Sequence, residues 1–514
     1  MYKEIQIRIK PEEAAEQELL REYAAREVGV SLERIRHIDL LKKAVDARQR
    51  QVILQLRLGV HIDCLEEREK VFKPAYRNVA TAKPVIVVGA GPAGLFAALR
   101  LIERGYRPIV LERGKRVEER RRDLGQLYKS GLVNPDSNFG FGEGGAGTFS
   151  DGKLYTRSKK RGDVQRALEI LVYHGADPVI LIDSHPHIGT DKLPGVIVNI
   201  RKTIEAYGGE VRFQTRVTDF ILQGKQIKGV MAGQEEIYAE QVILATGHSA
   251  RDVYRMLQAR SVYMEPKDFA VGLRLEHPQQ IIDCMQYHRK EGRGPWLPAA
   301  EYSFVTPVEG RGVYSFCMCP GGVVVPAATG PEQQVVNGMS SSARNTPWAN
   351  SAIVTAIGRE ELEQMHYAGL FGGMEFQEAL EKQAWQQGGG HLQAPAQVLT
   401  DFLRGKFSNH LPRVSYKPGV NSSPIHQWLP ELISRRLREG LLSFGERAKA
   451  FLTSEAVLLG VETRTSAPLK IVRLPDRLRH VEIEGLYPCG EGAGYAGGII
   501  SAAMDGEKCA ESVL

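Results

Sequence analysis

A glycine-rich turn between a buried strand and a helix is the feature that most constrains how this chain can fold. Val85–Val88 is a continuous β-branched run, which is typical of a strand buried on both faces of a parallel sheet. A glycine turn follows it, and the Ala- and Leu-rich stretch Ala93–Arg104 predicts a helix that ends at Gly105. Pro108–Leu111 predicts the next strand. These segments predict a complete βαβ unit, so we expect a parallel α/β sheet.

The turn has the spacing G-x-G-x-x-G, formed by Gly89, Gly91 and Gly94. The first glycine permits the tight turn, the second lets the backbone approach a pyrophosphate, and the third allows close packing of helix on strand. Phosphates favour the positive end of the helix, and Glu112, after the next strand, can accept hydrogen bonds from ribose hydroxyls. The same letters occur twice more, but only this copy has the strand, the helix and the acid. We therefore predict dinucleotide binding rather than a tight turn that binds nothing.

Length and composition set the class of protein. A chain of 514 residues exceeds one compact core, and 43% hydrophobic with 25% charged residues excludes a collagen, a coiled coil or a disordered chain. The longest apolar stretch, Val85–Leu99, is short and interrupted by glycine and proline, so no membrane span is expected. The start has no signal-peptide core, and six scattered cysteines do not suggest a disulfide framework. We expect a cytoplasmic protein.

The net charge is +6, from 67 basic and 61 acidic residues, and does not predict nucleic-acid binding by itself. One local excess of basic residues lies at Arg113–Arg122. It is interpreted either as a solvated helix face or as a site for an anionic ligand, and the sequence leaves both open.

The order of patterns along the chain predicts two large domains and a small module. Alternating residues and turns over 210–238 predict a three-stranded meander, and the chain ends in a predicted helix over Ile499–Leu514. The expected divisions are a small α+β N-terminal module (1–80), the first part of a dinucleotide-binding domain (84–255), an inserted α+β substrate or cap domain (256–454) and the returning part of the first domain (455–514).

Three short sequence segments along the first domain resemble those of a known fold. Leu111–Gly114, Leu244–Gly247 and Tyr487–Gly494 lie where the chain leaves or re-enters the first domain, which resembles the glutathione-reductase-type FAD fold. Longer motifs resemble the uncharacterised bacterial family of FAD-dependent dehydrogenases, or NAD(FAD)-utilising oxidoreductases, related to the HI0933-like flavoproteins; these motifs lie at 141–154, 187–191, 245–252, 316–322 and 490–498. The resemblance implies an α/β protein with a glutathione-reductase-type FAD-binding Rossmann domain, an inserted α+β domain and a short N-terminal module. It implies FAD but does not establish a substrate.

The expected FAD contacts follow from the resemblance and from loop chemistry. Gly497 and Gly498 would open the last helix with its N–H groups toward the flavin, and Glu491 would bind ribityl or ribose hydroxyls. The loop Gly144–Lys153 is rich in glycine and small hydroxyls, and is either a flavin contact or a structural turn. The predicted cofactor-binding residues are Gly89, Gly91, Pro92, Ala93, Gly94, Glu112, Arg113, Gly145, Ala146, Thr148, Ser150, Lys153, Val217, Ala245, Thr246, Gly247, Arg251, Gly490, Glu491, Gly497, Gly498 and Ile499.

The predicted catalytic residues are Lys153, His187, His248, Cys317 and Cys319. Lys153 is interpreted as a partner of flavin N5 or N1, or as a surface lysine, and the two histidines as cleft or loop residues. On a strand, Cys317 and Cys319 would face the same side, and core packing, an active-site thiol pair and a metal site all remain open. A C-x-C disulfide ring is strained, and no metal site is predicted.

The sequence thus predicts an FAD-dependent oxidoreductase that transfers a hydride through flavin N5 to or from a small molecule, held in a cleft between the FAD-binding and inserted domains. Because 256–454 lacks a second strand–G-x-G-x-x-G–helix pattern, NADH or NADPH is expected only as a transient electron donor in that cleft. Two alternatives are kept: a flavin-dependent RNA-modifying factor, and a redox-sensing protein with structural FAD. The oligomeric state is left open.

Overall fold

The computed structural model describes residues 1–65, 72–156 and 162–513, and divides them into an N-terminal module and two larger domains. In the module a three-stranded antiparallel sheet of order β1-β3-β2 carries one helix. Ile5, Ile7 and Ile9 alternate with polar residues and are buried, as the sequence predicts. Its elements are β1 (Tyr2–Ile9), α1 (Gln17–Val28), β2 (Ile35–Asp46) and β3 (Ile53–Ile62).

The first domain is built on a five-stranded parallel sheet of order β22-β10-β4-β5-β6, and the predicted βαβ unit is confirmed as β4-α2-β5. The helix α2 ends at Gly105, which adopts the left-handed conformation that glycine tolerates best. The elements are β4 (Pro84–Val88), α2 (Pro92–Arg104), β5 (Arg107–Leu111), α3 (Val117–Ser130), α4 (Val164–Tyr173), α5 (Leu193–Ala206) and β6 (Glu210–Arg212).

The predicted meander is also confirmed. It forms a separate antiparallel sheet of order β7-β8-β9, and the chain then returns to the centre of the parallel sheet. The elements are β7 (Val217–Gln223), β8 (Gln226–Ala232), β9 (Glu235–Tyr238), β10 (Val242–Leu244), α6 (Arg251–Ala259) and β11 (Met264–Pro266).

The second domain is a seven-stranded sheet of order β13-β14-β17-β12-β20-β18-β19, with all but one neighbouring pair antiparallel. Its helices cover the sheet and bury an apolar core that includes Phe376, Leu437 and Phe444. The elements are β12 (Phe269–Pro278), α7 (Gln279–Tyr287), β13 (Val305–Val308), β14 (Arg311–Cys319), β15 (Gly322–Pro326), β16 (Val336–Ser340), β17 (Trp348–Ile357), α8 (Arg359–Gln364), α9 (Gly372–Gln387), β18 (Ala394–Val398), α10 (Leu399–Arg404), β19 (Val420–Ser422), α11 (Ile425–Trp428), α12 (Glu431–Arg447) and β20 (Val457–Glu462).

The segment 455–514, predicted to belong wholly to the first domain, is divided between the two domains. Its first strand, β20, pairs with β12 and β18 of the second domain. The return to the first domain comes later, through β21 (Leu469–Ile471), β22 (Leu486–Pro488) and α13 (Ile499–Glu511). An apolar run such as 457–461 can be buried in either sheet, so its pattern does not specify its partner. Leu514, placed in the last helix by the sequence, lies outside the described residues.

In the part of the chain that the structure describes, no helix is both long and apolar enough to cross a bilayer.

Candidate functional site

A single cleft lies where the parallel sheet of the first domain meets the second domain. Its space, taken out to the open mouth, is about 1660 Å³. The carboxyl ends of β4, β5 and β10 and the start of α13 form one end, and β14, β16 and β20 contribute to the other. Of the residues predicted to bind cofactor or act in catalysis, the cleft is lined by Gly89, Gly91, Pro92, Ala93, Glu112, Arg113, Gly145, Ala146, Ser150, Lys153, Val217, Ala245, Thr246, Gly247, His248, Cys317, Cys319, Glu491, Gly497, Gly498 and Ile499.

Two helix N-termini open into this cleft, and neither is capped by a side chain. Gly91 is the N-cap of α2, and Gly498 is the N-cap of α13. The first N–H groups of a helix lack intrahelical acceptors and favour negative charge. The cleft therefore offers two sets of backbone donors to one elongated anionic ligand.

Glycines at and near these termini border open space in the cleft. A Cβ at Gly91, Gly247, Gly497 or Gly498 would meet no protein atom within 4 Å. Gly91 has φ −77°, which any residue can adopt, so its backbone does not require glycine. The open space beside Gly91 fits the pyrophosphate expected from the sequence.

Gly94 serves packing rather than the cleft. A Cβ there would overlap the carbonyl oxygen of Gly89, so only glycine lets α2 approach the turn this closely. Gly89 itself has φ +105°, and a Cβ would also lie 2.5 Å from the carbonyl oxygen of Ala245. Gly94 does not line the cleft.

Glu112 ties three backbone segments together at the end of β5. Its carboxylate accepts hydrogen bonds from the N–H groups of Ala90 at 2.9 Å, Gly114 at 2.9 Å and Gly142 at 3.0 Å. The side chain is buried yet lines the cleft, so its remaining lone pairs can accept ribose hydroxyls.

Arg120 is a structural residue that the sequence interpretation missed. Its guanidinium is fully buried and donates hydrogen bonds to the carbonyl oxygens of Asn138, Phe139 and Glu143 at 2.8, 2.9 and 2.9 Å. Arg120 therefore lies neither on a solvated helix face nor in a ligand site, which were the two interpretations of the basic stretch Arg113–Arg122. Arg120 instead holds the loop that carries Phe141 and leads to the cleft-lining Gly145.

Glu143 fixes the same loop from the other side. Its carboxylate accepts from the backbone N–H of Val117 at 2.8 Å, in the first turn of α3, and from Arg201 Nε at 2.7 Å. Thr148, predicted to bind the cofactor, does not line the cleft; its hydroxyl donates to the Glu143 carbonyl at 2.7 Å. These contacts make the loop a braced element of the cleft.

Arg113 reaches the cleft but is engaged within the protein. Its guanidinium binds Asp136 at 2.7 Å and Asp252 at 2.9 Å, and lies 4.3 Å from the ring centroid of Phe141. The pKa of Arg113 is lowered by burial, but the two carboxylates more than offset this and leave it raised.

Arg251, predicted to bind the cofactor, instead joins the two domains. It lies at the start of α6, and its guanidinium binds the buried carboxylate of Glu381 in α9 at 2.8 and 2.7 Å. Arg464, which lines the cleft, binds the same carboxylate at 2.8 Å. Burial would raise the pKa of Glu381, but Arg464 and Arg251 together lower it. Arg251 therefore acts on the cleft through Glu381 rather than by direct contact.

Two other predicted residues also lie outside the cleft. The N–H of Gly490 donates to Asp505 at 2.7 Å. His187 Nε2 lies 3.2 Å from the carbonyl oxygen of Ser342, and burial lowers its pKa. The sequence motifs identified the loops in which Gly490 and His187 lie. The contacts that hold these residues are made with residues distant in sequence, so no local pattern indicated them.

His248 lines the cleft as a neutral imidazole. Burial, assisted by Arg464, lowers its pKa to about 3. Its Nε2 is buried and has no hydrogen-bond partner among the described residues. A buried polar atom of this kind is normally satisfied, so a bound molecule is the expected partner.

Cys317 and Cys319 sit at an irregular point of β14. The pairing with β17 shifts register between Phe316 and Cys319, and Cys317 has φ +45°, so the regular alternation that the prediction assumed is interrupted. The Cys317 side chain is exposed into the cleft, whereas Cys319 is buried and accepts a contact from Arg274 at 3.4 Å. Burial raises the pKa of the Cys319 thiol, so this group is protonated at neutral pH.

Glu491 is an acid whose charge the cleft disfavours. Burial raises its pKa to about 7, and Lys267 acts in the opposite direction. It lines the cleft close to α13, where a hydroxyl-bearing ligand would find either a donor or an acceptor.

Among the described residues, one group has donor atoms close enough to hold a metal: Cys489, Asp505 and Cys509, all buried. Arg473 already binds both carboxylate oxygens of Asp505, at 3.0 and 2.5 Å, and contacts Cys509 Sγ at 3.3 Å. This guanidinium supplies the positive charge that a cation would bring.

Comparison with known families matches three regions of the chain. Residues 83–259 match the family described as pyridine nucleotide-disulphide oxidoreductase, and 268–465 match FAD-dependent protein, C-terminal domain-like. Residues 1–61 match a domain of unknown function. These three matches do not confirm the relation to HI0933-like flavoproteins that the sequence suggested.

Individual proteins are similar in sequence to the whole chain or to part of it. An uncharacterised protein of Clostridium beijerinckii is 40% identical over 96% of this chain and 96% of its own length. Protein FixC of Escherichia coli K12 is 26% identical over 38% of this chain and 44% of its own. The probable electron transfer flavoprotein-quinone oxidoreductase YdiS of the same organism is 28% identical over 42% and 49%.

One solved structure with a similar fold is a geranylgeranyl bacteriochlorophyll reductase-like protein from Thermoplasma acidophilum. It is 12% identical in sequence, and the alignment covers 84% of this chain and 77% of that chain. The TM-score of 0.35 is low, so this similarity supports no conclusion about function. The RNA-modifying and redox-sensing alternatives find no support among the relatives.

Proposed function

Because the chain belongs to the family of FAD-dependent oxidoreductases, we propose that it is a dehydrogenase or reductase whose small-molecule substrate binds in the cleft between the FAD-binding domain and the second domain. The hydride-transfer reaction expected from the sequence is part of this proposal.

One observation carries the proposal: the cleft is continuous, but its two ends are chemically different. At one end lie the glycine turn, Glu112 and two uncapped helix N-termini, which suit a dinucleotide. At the other end lie side chains of the second domain, including Phe316, Asn337 and Glu462. A cofactor that occupies the first end leaves a second, protein-lined space for a substrate.

At the cofactor end, residues of the chain would bind and orient FAD. The start of α2 would hold the pyrophosphate, Glu112 the ribose, and the start of α13 the flavin end of the molecule. Bound FAD would supply the two-electron chemistry.

At the substrate end the chain excludes water and holds protons. Phe316 supplies an apolar surface and Cys317 a thiol. His248 follows β10 but lies close enough to Arg464 of the second domain to feel its charge, and it supplies a neutral imidazole with a free Nε2. Each of these groups is held by the fold before a ligand arrives, which reduces the cost of ordering on binding.

We also propose that a nicotinamide donor, where used, occupies this same cleft in turn with the substrate. Residues 256–454 are all described, and they contain no strand–G-x-G-x-x-G–helix unit. A sheet that is antiparallel at all but one pairing does not offer a second Rossmann site.

The test is anaerobic reduction of the purified yellow holoenzyme. We expect NADH or NADPH to bleach the flavin absorbance near ~450 nm, and a small organic acceptor from a metabolite panel to restore it. Bleaching by no donor, with reoxidation by no organic compound, would contradict the proposal.

A matched pair of variants locates the substrate end. Phe316→Ala is expected to raise KM for the organic substrate while FAD content stays at one per chain. Phe407→Ala is the control, because Phe407 is 52% exposed and does not line the cleft. Equal kinetics for both variants would place the substrate elsewhere.

A further inference from the structure

Nearly every charge on the second-domain side of the cleft is neutralised within the protein. Asp151 is bound by Arg344 at 2.6 Å, and Glu462 by Arg274 at 3.1 Å. A substrate therefore meets ion pairs there rather than free charges.

Lys153 is the exception. It lines the cleft, and no carboxylate among the described residues lies within ion-pair distance of its ammonium group. The nearby Glu301 is engaged by His185, whose imidazole hydrogen-bonds its carboxylate. Arg464, another cation of this wall, is bound to Glu381, which it shares with Arg251. Lys153 therefore differs from it in having no bound carboxylate of its own.

The backbone of Lys153 is fixed, so the ammonium is presented from a rigid support. Lys153 and His187 form an antiparallel bridge, with Leu154 N–H donating to the Pro186 carbonyl at 2.9 Å and Ile188 N–H to the Gly152 carbonyl at 3.1 Å. With the backbone held, only the side-chain torsions of Lys153 have to be ordered when an anion binds.

The positive charge of Lys153 acts electrostatically on residues of β14 in the second domain. Burial raises the pKa of the Cys319 thiol, and Lys153 is the strongest influence in the opposite direction, ahead of Arg274. The ammonium thus acts at the substrate end, whereas the pyrophosphate site lies at the start of α2.

We propose that Lys153 is a specificity-determining residue that binds a carboxylate group of the substrate, so that the substrates are small carboxylic acids. This inference rests on the proposed function and names its substrate class. A single ammonium balances the one negative charge of a carboxylate, whereas a phosphoryl group carries about −1.5 to −2 at neutral pH. The charge would also draw anions into the cleft ahead of neutral analogues.

The experiment uses the oxidised holoenzyme and needs no turnover. Acetate, butyrate, benzoate and cinnamate are titrated, each beside its amide, while the flavin absorption spectrum is followed. We expect at least one acid to perturb the spectrum at a concentration about tenfold or more below that of its amide. Lys153→Met should remove this preference, Lys153→Arg should retain part of it, and the control Lys202→Met, on the exposed face of α5, should leave it unchanged.

Three results would overturn the inference. In the first, no acid in the panel binds better than its amide. In the second, Lys153→Met keeps the preference, which places the anion elsewhere. In the third, Lys153→Met loses FAD or shifts the flavin reduction potential, which assigns the ammonium to the cofactor. Failure of the proposed function is a separate result, since it appears as absent donor-driven bleaching and leaves these binding curves untouched.

Discussion

Replacing Arg120 by methionine tests whether one buried guanidinium supports a wall of the cleft. Methionine keeps much of the side-chain volume and the contact with Phe149, whose ring centroid lies 5.0 Å from the guanidinium carbon. It removes the donors to three carbonyl groups, at 2.8–2.9 Å. The variant therefore isolates the hydrogen bonds of Arg120 from its packing.

The magnitude follows from those three carbonyls. The Glu143 carbonyl keeps the Thr148 hydroxyl as a donor, but the carbonyls of Asn138 and Phe139 are left without one. Each buried acceptor left unsatisfied costs at least about 1 kcal/mol, so the first domain should lose on the order of 2 kcal/mol.

Burial lowers the pKa of Arg120 to about 10, while Glu112 and Glu143 act in the opposite direction, so the side chain is cationic at neutral pH. Its loss also removes a favourable positive charge near Glu112 and Glu143, although Glu143 keeps its ion pair with Arg201.

The assay compares the Tm of the apoprotein and the Kd for FAD between Arg120→Met and Arg121→Met. Arg121 is the next residue of α3 and is exposed, so its variant should match the parent protein in both quantities. Arg120→Met should show a Tm lower by several degrees and a Kd for FAD raised about tenfold or more. Arg120→Lys, which keeps the charge but not the three-way geometry, should fall between them.

Equal Tm and equal Kd for Arg120→Met and Arg121→Met would refute the reasoning, because the loop would then hold its shape without the guanidinium. A lower Tm with an unchanged Kd for FAD would refute only the link between loop and cofactor.

Three further predictions concern the same cleft. Gly91→Val should keep the Tm of the apoprotein but lose bound FAD, because the new side chain enters open space, whereas Gly94→Ala should lower the Tm itself by overlapping the Gly89 carbonyl; flavin absorbance and thermal melts of both variants distinguish the roles. Burial raises the pKa of Glu491 from 4.5 to about 7, so its contribution to stability is full below about pH 4.5 and is lost as pH rises through 7; Glu491→Gln apoprotein should match the parent at low pH and exceed its Tm above neutrality, and a pH-independent difference would contradict this. At φ +45°, Cys317→Gly should be within about 1 kcal/mol of the parent and Cys317→Val about 2 kcal/mol less stable in urea unfolding; equal stability of the two variants would argue against the backbone strain.

The features that the sequence predicts well are those set by neighbouring residues. The β-branched run at Val85–Val88, the glycine turn and the helix after it each follow local rules, and the structure confirms the resulting βαβ unit. The meander follows in the same way from alternation and turns.

Arg120 was missed although a local signal existed. Val117, Arg120, Leu124 and Leu127 recur at helical spacing and are the buried residues of α3. The surrounding charged residues make this segment resemble a fully solvated helix. Arg120, however, occupies one of the four buried positions, where an apolar residue is expected. A charged residue in register with three buried apolar positions was the sign that its head group has partners in the protein.

The second-domain wall of the cleft was not predictable because its interacting residues are distant in sequence. Glu381 is completely buried, and its charge is acceptable only because Arg251 of the first domain and Arg464 after β20 both bind it. Removing either arginine would leave a buried charge with part of its compensation lost, which is costly enough to fix how the two domains meet. A glycine motif specifies the cofactor end by backbone geometry within about thirty residues. The opposite wall depends on charge balance between residues 83 and 130 positions apart, and no local pattern records which arginine neutralises which acid.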